Sequence, residues 1–158
     1  MTIHSHAMVK NETEHKTDWQ PKVVAFLCNW RLFTGTDLTD KSRLLHVSHV
    51  EIIRVPCSGR VDPLFLLKCF EKGADGILVA GCYPGSCRYS PGNHHAQGKL
   101  AIFRTLLEFC GIDARRLHFS WASSSEGTQW PKLLDNVVSQ VTEAGPFPDL
   151  YSRKDKRS

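Results

Sequence analysis

The sequence predicts a small open α/β sheet: about four parallel strands in flavodoxin-like order 2-1-3-4, with helices on both faces. Three observations lead there. Short continuous apolar runs punctuate the chain, and continuous rather than alternating apolarity marks strands covered on both faces. Segments of helical periodicity alternate with those runs. The runs end in loops carrying Gly, Pro or Cys, which breaks them cleanly. With 158 residues the chain has length for one domain with a real core.

The elements follow in order. Lys22-Val23-Val24-Ala25-Phe26-Leu27 reads as the first strand and runs into Cys28-Asn29-Trp30. Residues 31–45 carry a weak helical pattern, broken by Gly35. Val50–Val55 reads as the second strand and ends at Pro56-Cys57-Ser58-Gly59. Asp62 before Pro63 is an N-cap followed by proline at the first helical position, so a helix spans 63–72 and closes on a left-handed Gly73. Ile77–Ala80 is the third strand, leading into Gly81-Cys82. A longer helix runs from about Asn93 to Phe109, with Leu100, Phe103, Leu106, Leu107 and Cys110 on one periodic face and Gly111 as its stop. Leu117–Trp121 is the fourth strand. Ser123 and Glu126 have capping-box spacing before a last helix striped by Trp130, Leu133, Leu134, Val137, Val138 and Val141 and ended by Gly145-Pro146. Residues 1–19 read as a flexible tail, 20–146 as the domain and 147–158 as a basic tail.

Charge and composition exclude several functions. The net charge of +4 is concentrated in the last six residues, and no basic stripe alternates with aromatics, so no nucleic-acid partner is expected. No apolar run reaches the roughly 20 residues of a membrane span, and Met1–Asp18 lacks a signal-peptide core, so a cytoplasmic protein without membrane insertion is expected. His4, His6 and His15 read as part of a solvated tail. No Ser-His-Asp or paired-carboxylate pattern points to hydrolysis, and no glycine-rich phosphate loop follows the first strand.

Six cysteines without an export signal argue for metal or redox chemistry over a disulfide framework. Cys28, Cys57 and Cys82 stand at the ends of three strands, with Cys87 in the loop after the third. Parallel strands about 4.8 Å apart put these ends along one edge, within reach of one small inorganic centre. The crevice where strand order reverses lies between strands one and three, where Cys28 and Cys82 face each other. Four thiolates suit zinc or an iron–sulfur cluster. Ligands from three loops of an already adequate core favour the redox cluster over a fold-stabilising metal. Cys69 and Cys110 lie in apolar helical stretches and read as small core residues.

Several runs carry a resemblance to a known family. They are Phe26-Leu27-Cys28-Asn29-Trp30, Ile53 through Cys57-Ser58-Gly59-Arg60-Val61-Asp62-Pro63, Gly73 through Gly81-Cys82-Tyr83-Pro84-Gly85-Ser86-Cys87, Tyr89-Ser90-Pro91-Gly92-Asn93 and Ser123-Ser124-Ser125-Glu126-Gly127. Over roughly residues 22–146 the chain resembles the delta subunit of methyl-viologen-reducing hydrogenase. The resemblance implies an electron-transfer subunit with a [2Fe–2S] cluster on Cys28, Cys57, Cys82 and Cys87. It also implies partners: a heterodisulfide reductase A-like flavin/iron–sulfur protein on one side, and a hydrogenase, formate dehydrogenase or benzoyl-CoA reductase-type module on the other. One position departs. The family has Cys-Asn-Trp-Cys where this chain has Arg31 in the last place.

Around the cysteines, Arg31, Arg60 and Arg88 are candidates for tuning a cluster by charge or hydrogen bonding. Trp30, Pro84 and Tyr89 are candidates for partner contact, and His94-His95 reads as a surface pair at a helix start. The competing readings are a structural adaptor of the same complex that has lost its cluster, and a flavin- or nucleotide-binding domain permitted by the fold class.

Overall fold

The computed structural model describes residues 19–32, 49–121 and 129–148. Its sheet is the expected one: β1 (Val23–Cys28), β2 (Val50–Val55), β3 (Gly76–Gly81) and β4 (Leu117–Trp121), all parallel, in the order β2-β1-β3-β4. The two central strands are buried along their whole length, which is why their sequences are unbroken apolar runs. The outer strand β2 is half exposed.

Among the described residues, α1 (Asn29–Leu32) follows β1 directly, α2 (Pro63–Glu71) joins β2 to β3, α3 (Gly92–Phe109) joins β3 to β4, and α4 (Gln129–Ala144) follows β4. The remainder of the helical pattern expected over 31–45, the capping box at Ser123 and Glu126, and most of both expected tails lie outside the described residues. Helix α2 starts as the sequence predicts: Asp62 Oδ1 accepts from Leu64 N at 2.8 Å, and Pro63 opens the first turn. Gly73 then takes a positive φ of 90°.

Strand alternation divides the core in two. Val24, Phe26, Ile77 and Val79 face α2 and α3 through Leu66, Phe70, Leu100, Phe103 and Leu107. Val23, Ala25, Leu27, Leu78 and Ala80 face α4 through Trp130, Leu134, Val137 and Val141. Cys69 is partly buried against the first cluster, as expected. Cys110 is exposed and corrects its reading as a core residue: it caps the C-terminus of α3, past the last turn that faces the sheet.

A polar knot closes the amino edge of the sheet. The Arg116 guanidinium donates to four carbonyl oxygens, those of Asp75, Gly145, Ala144 and Pro146, at 2.9–3.0 Å. The Asp75 carboxylate accepts from Lys22 N at 2.9 Å and from Phe147 N at 2.7 Å. Phe147 stacks on Phe70 with ring centroids 4.9 Å apart. These bonds satisfy backbone groups that burial would otherwise leave unpaired.

Candidate metal centre

The opposite, carboxyl edge carries the cysteines. Cys28 is the last residue of β1, level with Val55 of β2. Cys57 lies two residues past β2, in extended conformation, and opens the short 3-10 helix Ser58–Arg60. Cys82 follows β3 immediately. Cys87 sits beyond a tight turn in which Ser86 N donates to Tyr83 O at 3.0 Å and Ser86 Oγ to the same oxygen at 2.9 Å. Gly85 occupies the left-handed position of that turn, with φ 79°.

The structure brings all four thiols to one place, as two facing pairs. Cys28 Sγ lies 3.3 Å from Cys82 Sγ, and both residues are 2% exposed. Cys57 and Cys87 form the other pair, both lying against Gly92, and Cys87 is among the groups that raise the Cys57 thiol. Among the described residues, no group of three or more His, Cys, Asp or Glu side chains converges on a single ion. The four thiols still feel one another's charge across the two pairs. Electrostatic coupling reaches further than a coordination bond, so two adjacent pairs couple without forming one tetrahedron. Two pairs suit a centre with two metal ions, each taking two sulfurs.

Local electrostatics favour the neutral form of the Cys57 and Cys82 thiols. Burial, then the hydrogen bond to Cys28 and the charges of the other thiols, pushes Cys82 up to about 12. Burial also raises Cys57, opposed by a backbone hydrogen bond from Gly59 and reinforced by Cys87 and Cys28. A bound cation reverses this balance by displacing the protons. The N-terminus of α3 helps, because its first turn holds no acidic residue and lies against Cys57 and Cys87.

Two further observations fit a sulfur-rich group. A Cβ on Gly92 would stand 2.7 Å from Cys57 Sγ and 3.8 Å from Cys87 Sγ, so this glycine leaves the space those sulfurs use. Ser58 Oγ is buried with no hydrogen-bond partner, a spare donor beside the cysteine loops.

The remaining candidates surround the thiols. Trp30 Nε1 donates to Tyr89 Oη at 3.1 Å, and the Arg88 guanidinium lies 4.0 Å from the centroid of the Trp30 ring. This stack ties the end of β1 to the loop after β3. Arg60 is exposed on a cleft of about 690 Å³ walled by Cys57, Tyr89, His95 and Lys99. Pro84 is exposed on the turn. Arg31 occupies the third position of α1, and its side chain lies outside the described residues. The His94 ring meets Trp121 edge-on at 6.1 Å. Sequence reasoning passes over three residues that shape the site: Ser58, Asn93 and Lys99. Lys99 Nζ donates to Gly59 O at 2.8 Å and Val61 O at 3.0 Å, pinning the Cys57 loop to α3. Asn93 Nδ2 donates to Cys82 O at 3.0 Å and Tyr83 O at 3.1 Å. Ser58 and Asn93 lie within the runs that carry the family resemblance, while Lys99 has only its place near the Gly-rich start of α3 as a signal.

Comparison with known proteins shows the family. The family model described as methyl-viologen-reducing hydrogenase, delta subunit, matches residues 23–145, and the chain belongs to that family. It is 37% identical over 129 residues to the iron–sulfur subunit of the vhc F420-non-reducing hydrogenase of Methanococcus voltae, covering 82% of this chain and 90% of that one. A second relative, the F420-non-reducing hydrogenase iron–sulfur subunit of Archaeoglobus profundus, is 35% identical, covering 82% of this chain and 95% of its own length. A third is longer. The A component of the ferredoxin/F420H2-dependent CoB-CoM heterodisulfide reductase of Methanosarcina acetivorans is 39% identical over 94% of this chain, which spans only 18% of that protein.

The glycine at the mouth of the site gives a paired prediction. Gly92→Ala forces Cys57 Sγ aside and lowers stability by about 1–3 kcal/mol. Gly98→Ala, where nothing stands within 4 Å of the new methyl, raises it by up to about 1 kcal/mol through helix propensity. Urea midpoints of the two variants measure both; a shift of the same sign would contradict the cradle.

Proposed function

We propose that this chain is an electron-transfer subunit whose Cys28, Cys57, Cys82 and Cys87 hold a [2Fe–2S] cluster. The observation that carries the reading is the gathering of four thiols at one sheet edge, with Cys28 and Cys82 facing at 3.3 Å and Cys57 and Cys87 both against Gly92. Such a cluster supplies uptake and release of one electron at a time. The chain's own residues do the rest. Burial of Cys28, Cys57 and Cys82 keeps water from the sulfurs, α3 presents its N-terminus to them, and Ser58 offers a hydroxyl donor.

The names of the relatives support the partners we propose. Two are iron–sulfur subunits of hydrogenases, and the third contains a matching region within the A component of a heterodisulfide reductase. We therefore place this chain between a heterodisulfide reductase A-like flavin/iron–sulfur protein and a second redox module. A hydrogenase is favoured for that module; formate dehydrogenase and benzoyl-CoA reductase-type modules are the alternatives. The proposed setting is the cytoplasm, and among the described residues no helix is long and apolar enough to cross a membrane. The second reading is an adaptor that has lost its cluster, favoured by Arg31 at the place of a family cysteine.

Iron and acid-labile sulfide analysis with EPR on anaerobically purified protein separates the two. About two irons and two sulfides per chain are expected; a folded, metal-free protein establishes the adaptor instead. Arg31, three residues after Cys28, places a fixed positive charge near the centre in this reading and so favours the reduced state. Arg31→Cys is then expected to lower the midpoint potential, and an unchanged potential removes Arg31 from the tuning set. Trp30, Pro84 and Tyr89 are the proposed contact face. Trp30→Ala and Tyr89→Ala are expected to weaken complex assembly or slow electron flux, with iron content retained; full assembly and flux in both would move the contact elsewhere.

A further inference from the structure

Asn93 is a buried polar side chain, 1% exposed, with every amide group committed. Its Nδ2 donates to Cys82 O at 3.0 Å and to Tyr83 O at 3.1 Å, and its Oδ1 accepts from His94 N at 2.9 Å. An amide has two donor hydrogens, and both go to consecutive carbonyls of the cysteine loop. The orientation is fixed by those partners, because a flipped amide would set its oxygen against two carbonyl oxygens.

The bonds reach both thiol pairs. Cys82 Sγ lies 3.3 Å from Cys28 Sγ, so a shift of the Cys82 main chain opens the first pair. Tyr83 O is also the oxygen that Ser86 N and Ser86 Oγ close upon, so the turn leading to Cys87 hangs from the carbonyl that Asn93 holds. Behind Asn93, α3 is seated in the core by Ala96, Leu100, Phe103 and Leu107. The side chain thus transmits the position of a rigid helix to a loop made of Gly, Pro and Cys.

We propose that Asn93 is a positioning residue for the cysteine site, holding the Cys82–Cys87 loop so that the thiol pairs are spaced before a metal arrives. The inference rests on the cluster reading for its purpose and on hydrogen bonds alone for its geometry. A centre that passes electrons gains from ligands that do not move between its two charge states, and supporting hydrogen bonds supply that rigidity.

The test compares Asn93→Ala with Asn93→Asp in the anaerobically purified full chain at pH 8. Aspartate has nearly the volume of asparagine but, ionised, donates nothing to the two carbonyls. Amide hydrogen exchange over residues 82–87 is expected to rise about tenfold in Asn93→Ala, the scale of one buried hydrogen bond. In Asn93→Asp it is expected to rise at least as much. In both, chelator removes iron faster and the EPR line shape changes, while exchange in β1 stays slow. A packing role predicts the reverse order, with Asp like wild type and Ala the outlier, and that result overturns the proposal, as does unchanged loop exchange. Wild-type iron content reports separately on the cluster reading. If it is nil, that reading fails, and loop exchange still decides whether Asn93 holds the loop.

Discussion

Two backbones touch where a side chain would not fit. A Cβ on Gly59 would stand 2.5 Å from Gly92 O and 2.9 Å from Gly92 Cα. This contact matters because the strand ladder accounts for only half of the site. Cys28 and Cys82 come from neighbouring strands, and the pairing of β1 with β3 is enough to bring them together. Cys57 and Cys87 come from the ends of β2 and β3, which are separated by β1. No ladder joins them. The start of α3 crosses that gap, and it approaches the Cys57 loop closely only because both sides lack a Cβ. Lys99 then fastens the loop from above through Gly59 O and Val61 O.

The surroundings of the sulfurs are arranged for negative charge without supplying any. The first turn of α3 has no acidic side chain, and Arg60, Arg88, His95 and Lys99 lie around the loops. The Cys57 and Cys82 thiols answer burial by keeping their protons. With the proposed cluster bound, the same burial would strengthen every nearby dipole, because little water is left to screen it. One environment thus disfavours bare thiolates and favours a compact anion that brings its own cations.

Much of this was legible from the residues. The central strands announced themselves because burial on both faces leaves no polar residue in the run, as in Gly76–Gly81. The Asp62-Pro63 start of α2 and its Gly73 stop are local chemistry that tertiary packing did not override. The convergence of Cys28, Cys57 and Cys82 followed from parallelism alone. The division of the thiols into two pairs did not, since it depends on where α3 crosses the edge. Asn93 and Lys99 were hidden for a related reason: their partners are main-chain carbonyls about 10 and 40 residues away. Cys110 misled because periodicity places it on the inner face of α3, yet the helix ends there and no described residue covers it.

The knot at Asp75 has a consequence for how the fold can be combined. Lys22 N and Phe147 N bind the two oxygens of one carboxylate, so two stretches of chain that flank the sheet in sequence are held at a single point. That point is at the amino edge, separated from the cysteines by the six residues of a strand, about 20 Å. A unit held together at this point can be joined to further polypeptide from behind. In the Methanosarcina protein the matching region is 18% of a longer polypeptide. A rear anchor of this kind is compatible with a region that makes up nearly all of one relative and a small share of another.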